Sequence, residues 1–333
     1  MEVRNRCCAT AATERVAGTV QISLFHEPWW LTAATGGHFA ESVVKQGEEI
    51  VGRLPYVIKQ RGPFHALRMP PFTHMLGPAI NAGQGKSQTR LQRRISIART
   101  LIDQLPRYSY FHQHLDPSID NGLAIADGLA FQERQFEISS QYTFTVDCRR
   151  SLDELFAGLY LKTRQHIRRA EKEYSVRSVD DSRCFVDFYL KNLKAWGRKN
   201  RIEFDHFSTL FGESRAHESG VILGAFDHAG TPIAMTYIVW GHGIMYYLLS
   251  TRTVGSVDHG AASLLIWCAM KEAHEMGLFL DLDGVYSSGT VRFLSNFGGE
   301  IKTRLVVRRS RMPYSAMQHL KRQVAPDESQ FFT

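Results

Sequence analysis

The clearest evidence for the fold class comes from residues 230–284, which read GTPIAMTYIVWGHGIMYYLLSTRTVGSVDHGAASLLIWCAMKEAHEMGLFLDLDG. Two apolar runs flank Gly241-His242-Gly243, a turn signal that predicts a β-hairpin. A helical apolar pattern begins near Gly260, and another strand, LFLDLDG, follows it. Hairpin, crossover helix and strand in this order predict an α/β unit.

The same order of elements occurs once earlier in the chain. GEEIVGRLPYVIKQRGPFHALRMPPFT, residues 47–73, predicts two strands around Arg61-Gly62-Pro63. The helical pattern SQTRLQRRISIARTLIDQLP, residues 87–106, and the strand YSYFHQHL, residues 108–115, come next. This repetition predicts a duplicated α/β unit.

Composition sets wider limits on the protein. At 333 residues with 44% hydrophobic content, the chain suits two domains with real cores. It shows neither an apolar run long enough for a membrane span nor a signal peptide, so we expect a cytoplasmic protein. Five cysteines without metal-ligand spacing predict reduced thiols and no metal site. The net charge of +7 favours anionic partners such as phosphates or nucleic acid.

The domain boundary is expected near residues 140–155. There a strand passes into a helix that Ser151 caps, with Glu154 as its capping-box partner. The predicted division is a flexible arm over 1–20, a first domain over 21–145, a second domain with the donor site over 146–312, and a tail over 313–333.

Two carboxylates alternate on the last strand of the second unit. Asp281 and Asp283 both point away from Leu280 and Leu282, because successive side chains on a strand face opposite ways. If the leucines pack on a helix, the carboxylates face a cleft and can orient or deprotonate an amine. The structural alternative is that they cap a helix or pair with an arginine.

A loop and a helix N-terminus follow the second hairpin. Arg252, Gly255 and His259 precede the predicted helix start at Gly260 and Ala261. Free N–H groups at a helix N-terminus suit a pyrophosphate or an oxyanion. Alternatively, the glycines only form the turn.

LKTRQHIRRAEKEY, residues 161–174, predicts a helix with basic residues around most of its circumference. These include Lys162, Arg164 and Arg168, while Leu161, Ile167 and Ala170 form a thin apolar line. The helix is either a solvated surface or a contact for phosphate or RNA backbone.

The first half contains a proline-restricted loop, MPPFTHMLGP, residues 69–78. Thr73 and His74 are its polar groups. They are candidates for acceptor binding, although a lone histidine is more often structural.

Three of these stretches carry a family resemblance. KTRQHIRRAEKEY resembles the K-x-R-x-x-I-x-x-A-x-K signature of FemAB-like peptidyltransferases. The segments GAASLLIWCAMKEAHEMGLFLDLDG and VRFLSNFGGE resemble the final helix, the D-F-x-G strand and the F-K-x-x-F-G segment of that group. LPYVIKQRG and PPFTHMLGP resemble the first half of FemAB-related proteins of the GNAT superfamily. The resemblance spans about residues 22–310 and implies two tandem GNAT-like acyltransferase domains with mixed α/β sheets.

Two positions depart from the family pattern. Leu294 stands where the family has lysine in F-K-x-x-F-G, and Arg292 is the proposed replacement. RTVGSV, residues 252–257, meets the CoA-binding signature Q/R-x-x-G-x-G/A only in part.

The resemblance implies an N-acyltransferase that moves an aminoacyl or acyl group to an amine. Aminoacyl-tRNA is the favoured donor, acyl-CoA is the alternative, and no cofactor is expected to be tightly bound. Asp283, or else Asp281, would act on the amine, and Tyr247 would protonate the leaving group. Arg252 and the loop up to Ala261 would hold the donor, and the basic helix would contact tRNA. A third hypothesis is a non-catalytic scaffold that binds nucleic acid or a carrier protein.

Overall fold

The computed structural model describes residues 20–254, 260–284 and 287–316. Gly255 and His259, two of the predicted donor-site residues, lie outside these ranges, as do most of the predicted arm and tail. No helix within the described ranges is long and apolar enough to cross a bilayer.

Twelve strands form one sheet among the described residues. They are β1 (Ala40–Gln46), β2 (Glu49–Arg61), β3 (Phe64–Arg68), β4 (Ala79–Ile80), β5 (Tyr110–His114), β6 (Glu137–Asp147), β7 (Ser175–Ser178), β8 (Gly220–Phe226), β9 (Pro232–Gly241), β10 (Ile244–Arg252), β11 (Phe279–Gly284) and β12 (Glu300–Ser310).

The α-helices cover both ends of this sheet. They are α1 (Pro28–Thr35), α2 (Ser87–Asp103), α3 (Asp127–Glu133), α4 (Leu152–Gly158), α5 (Leu161–Glu173), α6 (Ser182–Ala195), α7 (Phe207–Ala216), α8 (Ala261–Glu275) and α9 (Ser288–Leu294). Helix α4 begins with the predicted capping box of Ser151 and Glu154.

The predicted duplication is visible in the strand pairing. In the first unit β2 pairs antiparallel with β3, and β3 pairs parallel with β5 after the crossover helix α2. In the second unit β9 pairs antiparallel with β10, and β10 pairs parallel with β11 after the crossover helix α8. The mixed α/β fold with two related units, predicted from sequence, is therefore confirmed.

The two units join through β12 and β6. The strand order across the junction is β3-β5-β12-β6-β11-β10. Although β12 comes last in the chain, it pairs antiparallel with β5 of the first unit as well as with β6. One continuous sheet results, so residues from opposite ends of the sequence share a face.

The two faces of the sheet differ in their covering. Residues with even numbers on β6, such as Phe144 and Ile138, point to the face covered by α2, α3, α5 and α8. On the opposite face, α1, α6 and α7 cover the β8–β10 end around Tyr237 and Tyr246. We call the remaining part of that second face, over β3, β5, β12 and β6, the polar floor.

The polar floor is rich in polar and charged side chains. It comprises Arg68, His112, His114, Ser139, Gln141, Thr143, Arg304 and Arg308. At the β3–β5 edge of this face, Tyr314 packs against Ala66 and Tyr110. Polar side chains on this part of the sheet mark it as a candidate site rather than a core.

Candidate functional site

A gap opens between β10 and β11. The parallel pairing runs from Ile244–Phe279 to Tyr246–Asp281 and then ends, although β10 continues to Arg252. The register of β10 against β9 shifts between Tyr247 and Leu249 at the same level. Because a bulge bends a strand, β10 turns away from β11 at this level. The resulting gap connects the two faces of the sheet.

Asp281 lies at the closed end of this gap and is held by Arg304. Arg304 Nη2 donates to both carboxylate oxygens of Asp281, at 2.8 and 2.7 Å, and Arg304 is 0% exposed. Thr143 Oγ1 donates to the same carboxylate at 2.6 Å. Asp281 is thus a fully paired buried anion, and the arginine pairing considered from sequence is the one observed.

Asp283 stands at the mouth of the gap. Its φ of +68° is in the left-handed region, which a non-glycine residue adopts only where the surroundings fix it. The backbone N–H donates to Asp281 Oδ1 at 2.8 Å, and Arg304 Nη1 donates to Asp283 Oδ1 at 2.9 Å. Arg304 therefore fixes both carboxylates, and the side chain of Asp283 is the more exposed of the two, at 13% against 7%.

His74, from the proline-restricted loop, meets Asp283. Its Nδ1 lies 3.1 Å from Asp283 Oδ1, within ion-pair distance but without aligned hydrogen-bond geometry. Its Nε2–H donates to the carbonyl of Leu248, at 3.1 Å. The two candidates that sequence reasoning named in separate halves of the chain are thus adjacent.

The protonation of His74 follows from these contacts. Because Nε2 donates to a carbonyl, Nδ1 of the neutral ring presents a lone pair toward the carboxylate. Burial lowers the pKa of His74, and the nearby Asp283 carboxylate opposes that shift. A proton that enters between Nδ1 and Oδ1 converts a repulsive contact into a hydrogen bond, so the pair is suited to accept one.

Sequence reasoning missed three residues of this cluster. Arg304 and Thr143 bind the aspartates, and His114 Nδ1–H donates to the carbonyl of His74 at 3.2 Å. Burial lowers the pKa of His114 to about 4, which keeps its ring neutral near pH 7. No local signal singles out Arg304, because its strand, EIKTRLVVRRS, also carries Lys302, Arg308 and Arg309.

Two of the predicted donor-binding residues, Gly260 and Ala261, lie by the opposite face of the sheet. Gly260 has φ +87° and precedes α8, and a Cβ there would lie 2.6 Å from the backbone oxygen of His166 in α5. The close approach explains the glycine and places the basic helix beside the N-terminus of α8. Ala261 is the first residue of α8 and is buried.

Helix α5 contacts the fold differently from the prediction in one respect. Thr163, Ile167 and Ala170 are its buried residues, whereas Leu161, placed in the apolar line by sequence, is 57% exposed. Leu161 is the first residue of the helix and points outward. Lys162 and Arg168 are exposed, and Arg164 is half-buried.

The other predicted residues are dispersed. Tyr247 belongs to the core under α8, across the sheet from Asp283, and burial raises its pKa. The Arg252 guanidinium lies 5.6 Å from the ring centroid of Trp196. Thr73 is buried and accepts a hydrogen bond from Trp30 Nε1 at 3.2 Å.

Arg292 and Leu294 lie on different sides of α9. Leu294 is 4% exposed and packs in the core, so the family's lysine position is an apolar contact in this chain. Arg292 is exposed. The two side chains therefore do not occupy equivalent places.

Comparison with known proteins agrees with this geometry. Residues 161–285, which include α5, the β9–β10 hairpin, α8 and Asp283, match the family described as acetyltransferase (GNAT) domain. This chain contains a GNAT acyltransferase domain. A search of curated proteins finds no match to the chain.

Solved structures extend the likeness to both units. The crystal structure of FemX aligns with a TM-score of 0.64 and 12% identity, over 90% of this chain and 94% of FemX. L-PGS from Bacillus licheniformis aligns at 0.50 and 12%, over 89% and 91%. A C-terminal domain from Agrobacterium fabrum, assigned to a lysylphosphatidylglycerol synthetase, aligns at 0.52 and 11%, over 86% and 89%.

The GNAT match and the FemX-like fold confirm two predictions from sequence. The predicted resemblance to the GNAT superfamily holds, the fold is shared with FemX, and acyl transfer is the reaction class of the matched family. The GNAT domain contains the gap, Asp283 and the N-terminus of α8, whereas His74 and the whole polar floor come from outside the matched residues.

Proposed function

We propose that the protein is an N-acyltransferase in which the acceptor amine binds at Asp283 and His74 and attacks a donor carbonyl placed in the gap. The observation that carries this proposal is the His74–Asp283 contact of 3.1 Å at the mouth of the gap. A neutral ring lone pair facing a carboxylate is a proton acceptor, which amine attack requires.

The reaction balances with groups on both sides of the gap. The amine nitrogen bonds to the carbonyl carbon, and its surplus proton passes to the His74–Asp283 pair. The bond from the carbonyl carbon to the donor oxygen or sulfur breaks, and Tyr247, kept protonated by its raised pKa, supplies the leaving group's proton. Alignment of the two reactants supplies most of the rate, a contribution that reaches about 7 to 11 kcal/mol.

Aminoacyl-tRNA is the favoured donor. Exposed cations on α5 lie beside the N-terminus of α8, where donor phosphates would meet both a helix dipole and basic side chains. The resemblance to FemAB-like proteins and the L-PGS neighbours support this donor. Acyl-CoA is the second candidate, favoured by the description of the matched family as an acetyltransferase domain.

Binding across a salt series separates the donors. We expect charged tRNA to bind with an affinity that falls steeply with salt concentration, because phosphate contacts release counterions. The double variant Lys162→Gln, Arg168→Gln should lower that slope by roughly 2, one for each lost contact. Lys45→Gln with Lys86→Gln removes the same charge from exposed sites on the first unit and should leave the slope unchanged.

Transfer itself is tested with both donors and a panel of amines. Acyl-CoA would replace aminoacyl-tRNA as the donor if two results are obtained together. Acetyl-CoA binds saturably, and the salt dependence of tRNA binding is the same in the α5 double variant as in the unchanged protein. If neither donor yields amide with any amine, the enzymatic proposal fails and the scaffold hypothesis takes its place.

A further inference from the structure

The polar floor carries two arginines that the reaction at Asp283 does not use. Arg68 ends β3 and Arg308 lies on β12, with His112 of β5 between them. His112 is the direct cross-strand partner of Arg308, and both arginines are among the groups that lower its pKa. The three side chains therefore form one cluster.

No carboxylate neutralises this cluster among the described residues. Glu137, opposite Arg308 on β6, is exposed and makes no ion pair with it. Arg308 Nη2 has only a 3.5 Å contact with Ser139 Oγ, and the Arg68 guanidinium lies 5.5 Å from the centroid of the Tyr110 ring. The Nε atoms of both arginines are buried without a hydrogen-bond partner.

Two half-buried guanidinium groups with unsatisfied donors are costly unless an anion completes them. Arginine presents a planar fork of donors that matches the oxygens of phosphate and carboxylate groups. Burial lowers the pKa of His112 well below its ordinary value, so its neutral ring adds a donor without adding like-charge repulsion.

We propose that Arg68, Arg308 and His112 bind an oxyanion, phosphate or carboxylate, on the acceptor substrate. This proposal depends on the proposed function only in identifying the bound molecule as the acceptor. The anion site is continuous with His74 and Asp283, the proposed catalytic pair. The ring centroids of His112 and His114 are 5.0 Å apart, and His114 donates to the carbonyl of His74. Both sites therefore lie on one floor.

The spacing specifies the acceptor further. Arg304 and Arg308 are four residues apart on β12, and a strand rises about 3.3 Å per residue, which gives a separation of about 13 Å. Arg304 contacts Asp283, where the amine would bind. The acceptor class is thus an amine with an anionic group roughly 10 to 13 Å from the nitrogen.

Direct binding tests the site without any donor. Calorimetry with inorganic phosphate and with acetate, at constant ionic strength, should give saturable binding of at least one anion and shows which oxyanion is preferred. Arg308→Gln and Arg68→Gln should each weaken it roughly 10-fold to 100-fold, as for loss of a charged hydrogen-bond pair. Arg308→Lys keeps the charge but not the fork, and should fall between.

The matched control is Arg309→Gln. Arg309 is adjacent in sequence, equally half-buried and on the opposite face against Phe136, so its loss should leave anion binding unchanged. Circular dichroism checks that each variant is folded, and Arg308→Lys provides the test if a glutamine variant is not. Absence of saturable binding, or equal binding in all variants, would overturn the proposal.

Transfer assays separate this proposal from the proposed function. Amines are compared in pairs that differ only in a distal phosphate or carboxylate, and Arg308→Gln should raise KM for the anionic member alone. Transfer that ignores the distal anion would refute the anion site while leaving acyl transfer intact. Anion binding that is lost in Arg308→Gln, with no transfer to any amine, would refute the proposed function while leaving the site.

Discussion

Loss of Arg304 should destabilise the protein more than loss of any exposed cation. Arg304 is fully buried and donates to three carboxylate oxygens, two on Asp281 and one on Asp283, at 2.7 to 2.9 Å. Arg304→Gln leaves the Asp281 carboxylate, on a side chain that is 7% exposed, without a countercharge. Breaking a buried pair from one side costs about 3 to 5 kcal/mol.

Two hydrogen bonds that Asp281 keeps place the expected cost near the lower end of that range. Thr143 Oγ1 and the N–H of Asp283 still donate to it, at 2.6 and 2.8 Å. The free energy of unfolding at pH 7, from urea transitions followed by circular dichroism, should therefore fall by about 3 kcal/mol.

Two further variants decide whether the pairing is the cause. Arg309→Gln, on the opposite face, should change the free energy of unfolding by less than about 1 kcal/mol. The double variant Asp281→Asn, Arg304→Gln should lose less than the sum of the single losses, because contacting residues couple by roughly 0.5 to 3 kcal/mol. A cost below about 1 kcal/mol for Arg304→Gln, or strict additivity within about 0.5 kcal/mol, would refute the reasoning.

Three other predictions follow from single contacts. Asparagine, like aspartate, tolerates φ near +68°, so Asp283→Asn should leave folding unchanged. The value of kcat/KM for transfer should fall about 10²-fold to 10⁴-fold. Unchanged turnover would show that Asp283 takes no part in the reaction. Burial lowers the pKa of His26 to about 4 from 6.5, so the unfolded chain binds the proton first, and His26 alone should remove about 3 kcal/mol of stability as pH drops from 6.5 to 4. The buried His74, His112 and His114 shift in the same direction and add to this loss, so His26→Gln should make that part of the urea-midpoint profile less steep without flattening it. Gly260→Ala places a Cβ 2.6 Å from the His166 carbonyl oxygen, whereas Gly277, which also has positive φ, has no atom within 4 Å of the position that a Cβ would take. Gly260→Ala should therefore lower the free energy of unfolding more than Gly277→Ala does. Equal losses would show that α5 moves aside.

The elements of the fold were predictable because their signals are local. The turn at Gly241-His242-Gly243, the capping box at Ser151 and the apolar periodicity of α8 each depend on residues close in sequence. Repetition of those elements then indicated two related units. The outward position of Leu161 was not predictable, because the start of a helix adds a residue whose direction tertiary packing decides.

The site was predictable only in parts. Strand alternation correctly placed Asp281 and Asp283 away from the leucines, yet it gave no information about how deeply either carboxylate is buried. That depth depends on Arg304, whose strand enters the sheet between β5 and β6 although it is last in sequence. His74 reaches Asp283 through a loop of the other unit, and no spacing rule within one sequence window encodes that contact.

A comparison of the two units explains why one donor site is expected. In the second unit β10 continues past the end of its pairing with β11 and leaves the gap. In the first unit β3 ends at Arg68, the prolines of the 69–78 loop redirect the chain, and Leu76 forms a parallel bridge with Leu115 beyond β5. The equivalent opening is thus occupied by the chain itself, and the same loop carries His74 to Asp283. In the reaction proposed above, this difference would let the second unit position the donor, while the first unit would contribute His74 to the proton-accepting pair and would provide part of the acceptor-binding floor.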